Sequence, residues 1–205
     1  MCIRDSSHNP EFTMLELYQS FGDYRSMMEL TEHLLHILAM EIGGAEALPF
    51  RGETISYALP FRRATSHALF AEHNGFPADD DKRLRHHAEE LGIEVQGRDH
   101  DVVLSEVWDR SVEHHLQAPT FETDYPASLC PLTKTSPDDP SLAERFELFV
   151  SGMELANAYT ELNDPDAQET YFRALVAGLD DEEASFRTVV DDFLEALRVG
   201  MPPAG

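Results

Sequence analysis

From Glu154 to Pro165 the chain reads Glu-Leu-Ala-Asn-Ala-Tyr-Thr-Glu-Leu-Asn-Asp-Pro, which puts charge and amide where a buried strand would be apolar. Asn157, Tyr159 and Glu161 alternate with Ala158 and Thr160, so in an extended chain they share one face. An amide, a phenol and a carboxylate converging on one spot suit a cationic, hydrogen-bonding small ligand. A solvated edge strand would show the same alternation, and the local pattern does not separate the two readings. Two more carboxylates, Glu147 and Glu154, flank a turn around Ser151-Gly152. If that turn pairs Phe149 with Glu154, the acids lie diagonally on one hairpin face, about 7–8 Å apart at the backbone. Like charges at that separation repel unless a cation lies between them. A hard divalent ion, also held by nucleotide phosphates, would be Mg²⁺ chemistry. Two exposed strand glutamates are the alternative.

Other stretches bear on the choice. His8-Asn9-Pro10-Glu11-Phe12-Thr13-Met14-Leu15-Glu16-Leu17-Tyr18 comes first, Pro119-Thr120-Phe121 with Asp124-Tyr125-Pro126-Ala127 follows, and residues 154–165 come last. In that order they resemble the catalytic domain of lysyl-tRNA synthetases, which are class II aminoacyl-tRNA ligases. The resemblance runs from His8 to the terminal Gly200-Met201-Pro202-Pro203-Ala204-Gly205 and covers nearly the whole chain. It implies that Glu16 and Tyr18 of a first strand, with Asn157, Tyr159 and Glu161 of a later one, hold L-lysine. One carboxylate would meet the side-chain ammonium, an aromatic wall the methylenes, and a second carboxylate the α-amino group. Tyr159 stands where many members have Phe, which keeps the ring and adds a hydroxyl. By the same resemblance Phe12 stacks on the adenine of ATP, with His8, Asn9 and Met14 around the nucleotide. On pattern alone Phe12 reads equally well as a core aromatic.

Glu147 and Glu154 match the family glutamates that hold Mg²⁺ with ATP. Plain alternation sets Glu154 on the face opposite Asn157, Tyr159 and Glu161, whereas the resemblance needs all of them in one pocket. A β-bulge near Leu155-Ala156 would reconcile the two, and bulges are common beside active sites. Lys134, after Pro131-Leu132-Thr133, stands where the family has a basic residue, although a loop lysine is mostly just solvated. The implied activity is ATP-dependent formation of lysyl-adenylate and transfer of lysine to the 3′ end of tRNA(Lys), in the cytoplasm, by a homodimer. One rival is the related ligase that lysylates elongation factor P. It shares the pocket but has a shorter segment between the binding strands and reads differently at residues 158–164. Another rival is a non-catalytic lysine-binding paralogue, against which the retained pocket residues speak.

Composition sets bounds on these readings. The 205 residues, 42% hydrophobic and 26% charged, describe one soluble globular unit without an apolar run of membrane-spanning length. A formal charge of −24 argues against this segment gripping phosphate backbones by bulk electrostatics. In the family a separate OB-fold domain binds the anticodon. Cys2 and Cys130 offer neither a disulfide framework nor zinc-ligand spacing. His33 with His36, His86-His87 and His114-His115 read as solvated residues on polar helix faces rather than as zinc ligands.

These residues must be positioned by elements that the pattern also predicts. Glu11 to Ser20 alternates as a strand. Asp23 caps a helix carrying Met27, Leu30, Leu34, Ile37 and Leu38 as far as Ile42, where Gly43-Gly44 stops it. A hairpin is expected over Phe50–Ile55, and helices over Thr65–His73, Ala78–Leu91 and Asp99–Leu116. Strands follow at Thr120–Asp124, Arg145–Val150 and Glu154–Leu162, with a linker-like Thr133–Ser141 between the first two. Pro165 then opens a helix capped by Asn163 or Asp164, and a last helix covers Asp181–Val199. Adjacent strands with helices elsewhere make an α+β fold, an antiparallel sheet flanked by helices, as in class II synthetase catalytic domains.

Residues 7–205 are expected to form one such domain, cut at both ends, from the tail of motif 2 to just before motif 3. Residues 1–6 are expected to be foreign read-through, because Met1-Cys2-Ile3-Arg4-Asp5 back-translates to ATG-TGT-ATA-AGA-GAC, the end of a common transposon-based sequencing adapter. The motif arginines that clamp ATP phosphates would then lie outside the chain, so the isolated chain is expected to be inactive.

Overall fold

Asp23 starts the first helix, α1 (Tyr24–Glu41), with a reciprocal cap. Its carboxylate accepts from the Ser26 N–H at 2.9 Å, and its own N–H donates to the Ser26 hydroxyl at 3.0 Å. The bounds follow the sequence but the buried face does not. Tyr24, Met27, Met28, Glu32 and Ala39 are buried, while Leu30, Ile37 and Leu38 are exposed. The reason is polar. The Glu32 carboxylate accepts from the Phe61 N–H at 3.0 Å and from Arg63 Nη2 at 2.8 Å, and a buried acid so satisfied fixes the rotation of the helix. Apolar periodicity alone cannot see that.

The computed structural model describes residues 11–176 and 184–205. After α1 comes the expected hairpin, β1 (Ala47–Phe50) and β2 (Glu53–Ser56), turned by Arg51 and Gly52 with φ of 49° and 88°. Such a pair of positive φ values matches the twist of the flanking strands. Helices α2 (Ser66–Asn74), α3 (Asp81–Glu90) and α4 (His100–Ser111) then pack Leu69, Phe70, Leu84, Ala88, Val103 and Val107 into one apolar cluster. Thr65 and Asp80 cap the first two of these helices.

The main sheet has the order β3 (Arg62–Thr65), β4 (Thr120–Pro126), β5 (Leu142–Val150) and β6 (Met153–Tyr159). The last three are antiparallel, as expected of an α+β fold, and β3 lies parallel to β4. Alternation does not reveal β3, a short strand opening on two arginines. On the back of the sheet Phe121, Phe146, Leu148 and Val150 pack with Tyr24, Met27 and Met28 of α1. Part of the front is covered by α4, whose Trp108 lies 5.1 Å from the Phe149 ring. The rest of the front is polar.

Between β5 and β6 the turn is Ser151-Gly152, with φ of 55° and 67°. A Cβ at Gly152 would lie 3.1 Å from His114 Cα. The turn N–H groups donate to Gln117 and Leu116 carbonyls at 2.9 and 3.0 Å, which pins the hairpin tip to the chain leaving α4. At the end of the sheet come α5 (Pro165–Val176) and α6 (Ala184–Gly200). Asp164, rather than Asn163, caps α5 by accepting from the Asp166 and Ala167 N–H groups at 2.9 and 3.2 Å. The expected start of the last helix at Asp181 lies outside the described residues.

Three further expectations are corrected. Residues 11–20 form no strand: only Ser20 makes a bridge, to Ala204, flanked by exchanged backbone hydrogen bonds between Gln19 and Gly205 at 2.8 and 3.1 Å. A strand needs a partner ladder, and among the described residues nothing pairs with 11–18. The segment Thr133–Ser141 is a strap rather than a linker, because Thr133 bridges Glu161 and Thr135 bridges Ala143. The last strand ends at Tyr159, so Glu161 is placed by that strap and not by β5. No helix among the described residues is long and apolar enough to cross a membrane.

Candidate functional site

The pairing of β5 with β6 builds the site. Register holds from Arg145 opposite Tyr159 to Leu148 opposite Ala156, then shifts so that Phe149 faces Glu154 and Leu155 is the extra residue. This is the bulge expected near Leu155-Ala156. It turns Glu154 onto the face of Asn157, whose Nδ2 donates to Glu154 Oε1 at 2.8 Å. Glu122, Glu147 and Asn157 then stand in one row across β4, β5 and β6, with Arg145 and Tyr159 in the neighbouring row.

At one end the row is strongly acidic. Burial pushes the Glu147 carboxyl up, and the Glu154 charge adds to this, while Arg145, its ion-pair partner, opposes both. Glu122 is only 2% exposed, and burial raises its carboxyl from the usual 4.5 to about 8 against the pull of hydrogen bonds from Tyr125 and Ser66. An irregularity at Asp124, with φ of 61°, sets Tyr125 opposite Ala143. The Tyr125 hydroxyl donates to Glu122, and burial holds that phenol well above its ordinary range. Between α4 and the front of the sheet lies a cavity of about 300 Å³, lined by Asp101, Trp108, Asp109, Glu122, Glu147 and Glu154 among others.

At the other end gather four of the five residues expected for lysine. Glu161 is half-buried, and burial alone raises its carboxyl. Among the described residues no cationic side chain pairs with it. Burial is also the first cause lifting the Tyr159 phenol, followed by the Glu161 charge, with Glu16 contributing. Tyr18 donates to Glu16 Oε1 at 3.0 Å. That bond is the main reason its phenol is raised, and Glu161 and Tyr159 lie close enough to add to the effect. Glu16, Tyr18, Tyr159 and Glu161 thus share one patch, although the first two belong to no strand. Asn157 sits at the acidic end instead, tied to Glu154.

Two of the four residues expected around ATP lie among the described residues. Phe12 and Met14 are 72% and 69% exposed, and His8 and Asn9 lie outside the described residues. The histidines do not sit simply on polar helix faces. His114 and His115 belong to a 3-10 turn after α4, and His115 stacks flat on His73 with centroids 4.9 Å apart. His36 meets the Tyr57 carbonyl at 2.9 Å. Sequence reasoning missed Arg145, Glu122 and Tyr125. Arg145 carried a usable signal, since it alternates with Glu147 on a predicted strand and so must share its face.

Whether these residues suit Mg²⁺ depends on their donor set. Among the described residues no group of three or more His, Cys, Asp or Glu is arranged to hold a metal by itself. Glu147 and Glu154 supply two carboxylates on one face. That is the kind of site Mg²⁺ uses, because it keeps several waters and takes its other ligands from substrate phosphates. The residues fit an ion shared with a nucleotide.

A lysine–tRNA ligase of Moorella thermoacetica is 40% identical over 208 residues, covering 98% of this chain and 42% of the relative. That of Roseiflexus castenholzii is 43% identical over 213 residues, with the same coverage of each. That of Thermoanaerobacter pseudethanolicus is 41% identical over 209 residues, covering 98% of the chain and 41% of the relative. The chain therefore spans about two fifths of the length of these curated relatives. The family model for tRNA synthetases class II (D, K and N) matches residues 3–205, nearly the entire sequence, and the chain belongs to that family.

Proposed function

We propose that this chain is part of a lysine–tRNA ligase and supplies its lysine pocket and the protein ligands for the cation of ATP. The observation that carries this reading is Glu161: a half-buried carboxylate, raised by burial, without a cationic partner among the described residues and with two tyrosines beside it. A bound ammonium would relieve that desolvation. In this reading the rings of Tyr159 and Tyr18 would flank the methylenes, and Glu16 would meet the α-amino group. Phe12, Met14, His8 and Asn9 are assigned to the nucleotide.

In the proposed reaction the lysine carboxylate attacks the α-phosphorus of ATP, pyrophosphate leaves, and a 3′-terminal hydroxyl of tRNA(Lys) then attacks the adenylate carbonyl, forming the ester and releasing AMP, in the cytoplasm. Glu147 and Glu154 would hold Mg²⁺, which when bound spreads the charge developing on the phosphates. The chain's own part is positioning: one acidic anchor for each amino group of the substrate, and an aromatic wall between them. The net charge of −24 leaves tRNA contact mainly to the rest of the protein.

The test is lysine-dependent exchange of label between pyrophosphate and ATP by the whole protein. Absence of exchange in a folded preparation would refute the reading. Glu147→Gln should raise the Mg²⁺ concentration needed for half-maximal exchange on the order of tenfold and leave the KM for lysine within about twofold. An unchanged Mg²⁺ requirement would remove Glu147 from the cation site.

A further inference from the structure

Arg145 has no role in the scheme above, yet it sits at its centre. It stands opposite Tyr159 on β6 and two residues before Glu147 on β5, between the lysine end and the acidic end of the site. Its guanidinium is fixed on several sides. Nη2 donates to Glu147 Oε1, Nη1 approaches Cys130 Sγ at 3.8 Å, and Cζ lies 5.1 Å from the centroid of the Tyr125 ring. Tyr125 is itself held by its hydrogen bond to the buried Glu122. The Arg145 side chain is 25% exposed, and its Nε is buried without a partner. A planar fork clamped by a ring, a thiol and a carboxylate keeps little rotamer freedom, so it passes its own orientation to the carboxylate it binds.

We propose that Arg145 is a positioning residue: by binding Oε1 of Glu147 it fixes the plane of that carboxylate for a divalent cation. This rests on the assignment of Glu147 and Glu154 to the cation of ATP. A cationic side chain beside a cation site is at first sight unfavourable, because its charge repels the ion. Two effects therefore compete in any variant that removes it. Loss of the positive charge should tighten cation binding, and loss of the fixed carboxylate should weaken it. Partners that orient metal ligands typically contribute 10–100-fold in affinity, whereas a charge in a partly buried site still acts through an effective dielectric well above that of dry protein. Orientation should win.

The experiment uses the whole protein, with Mn²⁺ as probe and free Mn²⁺ followed by electron paramagnetic resonance in the presence of ATP without lysine. Arg145→Met should weaken Mn²⁺ binding about tenfold, although a positive charge has been removed. Arg145→Lys keeps the repelling charge but lacks the fork, so it should weaken Mn²⁺ binding at least as much as Arg145→Met; it also serves if the methionine variant does not fold. Lysine binding, measured separately by calorimetry, should fall clearly less than Mn²⁺ binding, because Arg145 reaches that end only through Tyr159 opposite it. Unchanged or tighter Mn²⁺ binding in both variants would overturn the proposal while leaving the cation site standing. An equal loss of lysine and Mn²⁺ binding would also overturn it, since Arg145 would then be holding up the fold rather than one carboxylate. Absence of ATP-dependent Mn²⁺ binding in the unaltered protein would instead sink the cation assignment itself, and the proposal with it.

Discussion

Glu161→Gln in the whole enzyme should reduce lysine activation by about 2–4 kcal/mol in transition-state terms, with ATP use little altered. The substitution keeps shape and one acceptor oxygen and removes the charge. The ammonium of the substrate would then be desolvated against a neutral amide, and an unpaired buried charge is the costly case. Because burial already holds this carboxyl above the ordinary range, a proton competes with lysine there at a higher pH than it would at an exposed glutamate. Lysine affinity should therefore fall as pH drops through that raised value, and the glutamine variant should lose this dependence. Steady-state exchange measured against lysine and against ATP, across a pH series, gives both readouts. If Glu161→Gln leaves lysine use intact, the pocket assignment fails, and Tyr159, Tyr18 and Glu16 lose their roles with it.

Much of the positioning was legible beforehand because it rests on local rules. The Asp23 cap, the Arg51-Gly52 turn and the Ser151-Gly152 turn are each set by a few residues whose backbone preferences leave little choice. The bulge at Leu155 was legible for another reason: the family resemblance puts two sets of polar residues in one pocket, and they can share a face only if the alternation slips once between them. What stayed hidden depends on distant partners. Residues 11–20 alternate like a strand, but alternation says which way side chains would point and not whether a ladder lies alongside. The rotation of α1 was misread because Glu32, an acid, is on its buried face, held by a backbone N–H and an arginine some thirty residues away. Glu122 escaped notice for the same reason, since a carboxylate on a strand that also carries Thr120, Thr123 and Asp124 reads as solvent-facing until its neighbours are known.

Glu122 also sets how stability should respond to pH, and Glu122→Gln is the variant that isolates it. Its carboxyl titrates near 4.5 when the chain is unfolded and at about 8 in the fold, chiefly through burial. Between those values the folded state holds a proton that the unfolded state has released, so this group's contribution to stability falls as pH rises from about 4.5 to about 8, and then levels off. Taken at face value the interval corresponds to a ceiling of about 5 kcal/mol, and relaxation around an ionised group brings the realised effect to roughly 2–5 kcal/mol. Glutamine cannot ionise, and its carbonyl still accepts from the Tyr125 hydroxyl. The variant should match the parent near pH 5 and be the more stable of the two near pH 9, as read by urea or thermal unfolding at both pH values. Other carboxyls raised chiefly by burial, Asp109, Glu147 and Glu161, contribute to the decline in both proteins, so the difference between the two proteins carries the information. A carboxylate ionised and well paired at neutral pH would give the opposite sign, with Glu122→Gln less stable at pH 9, and that outcome would mean that the row Glu122, Glu147 and Asn157 holds three polar groups of which two, not one, are charged before any cation arrives.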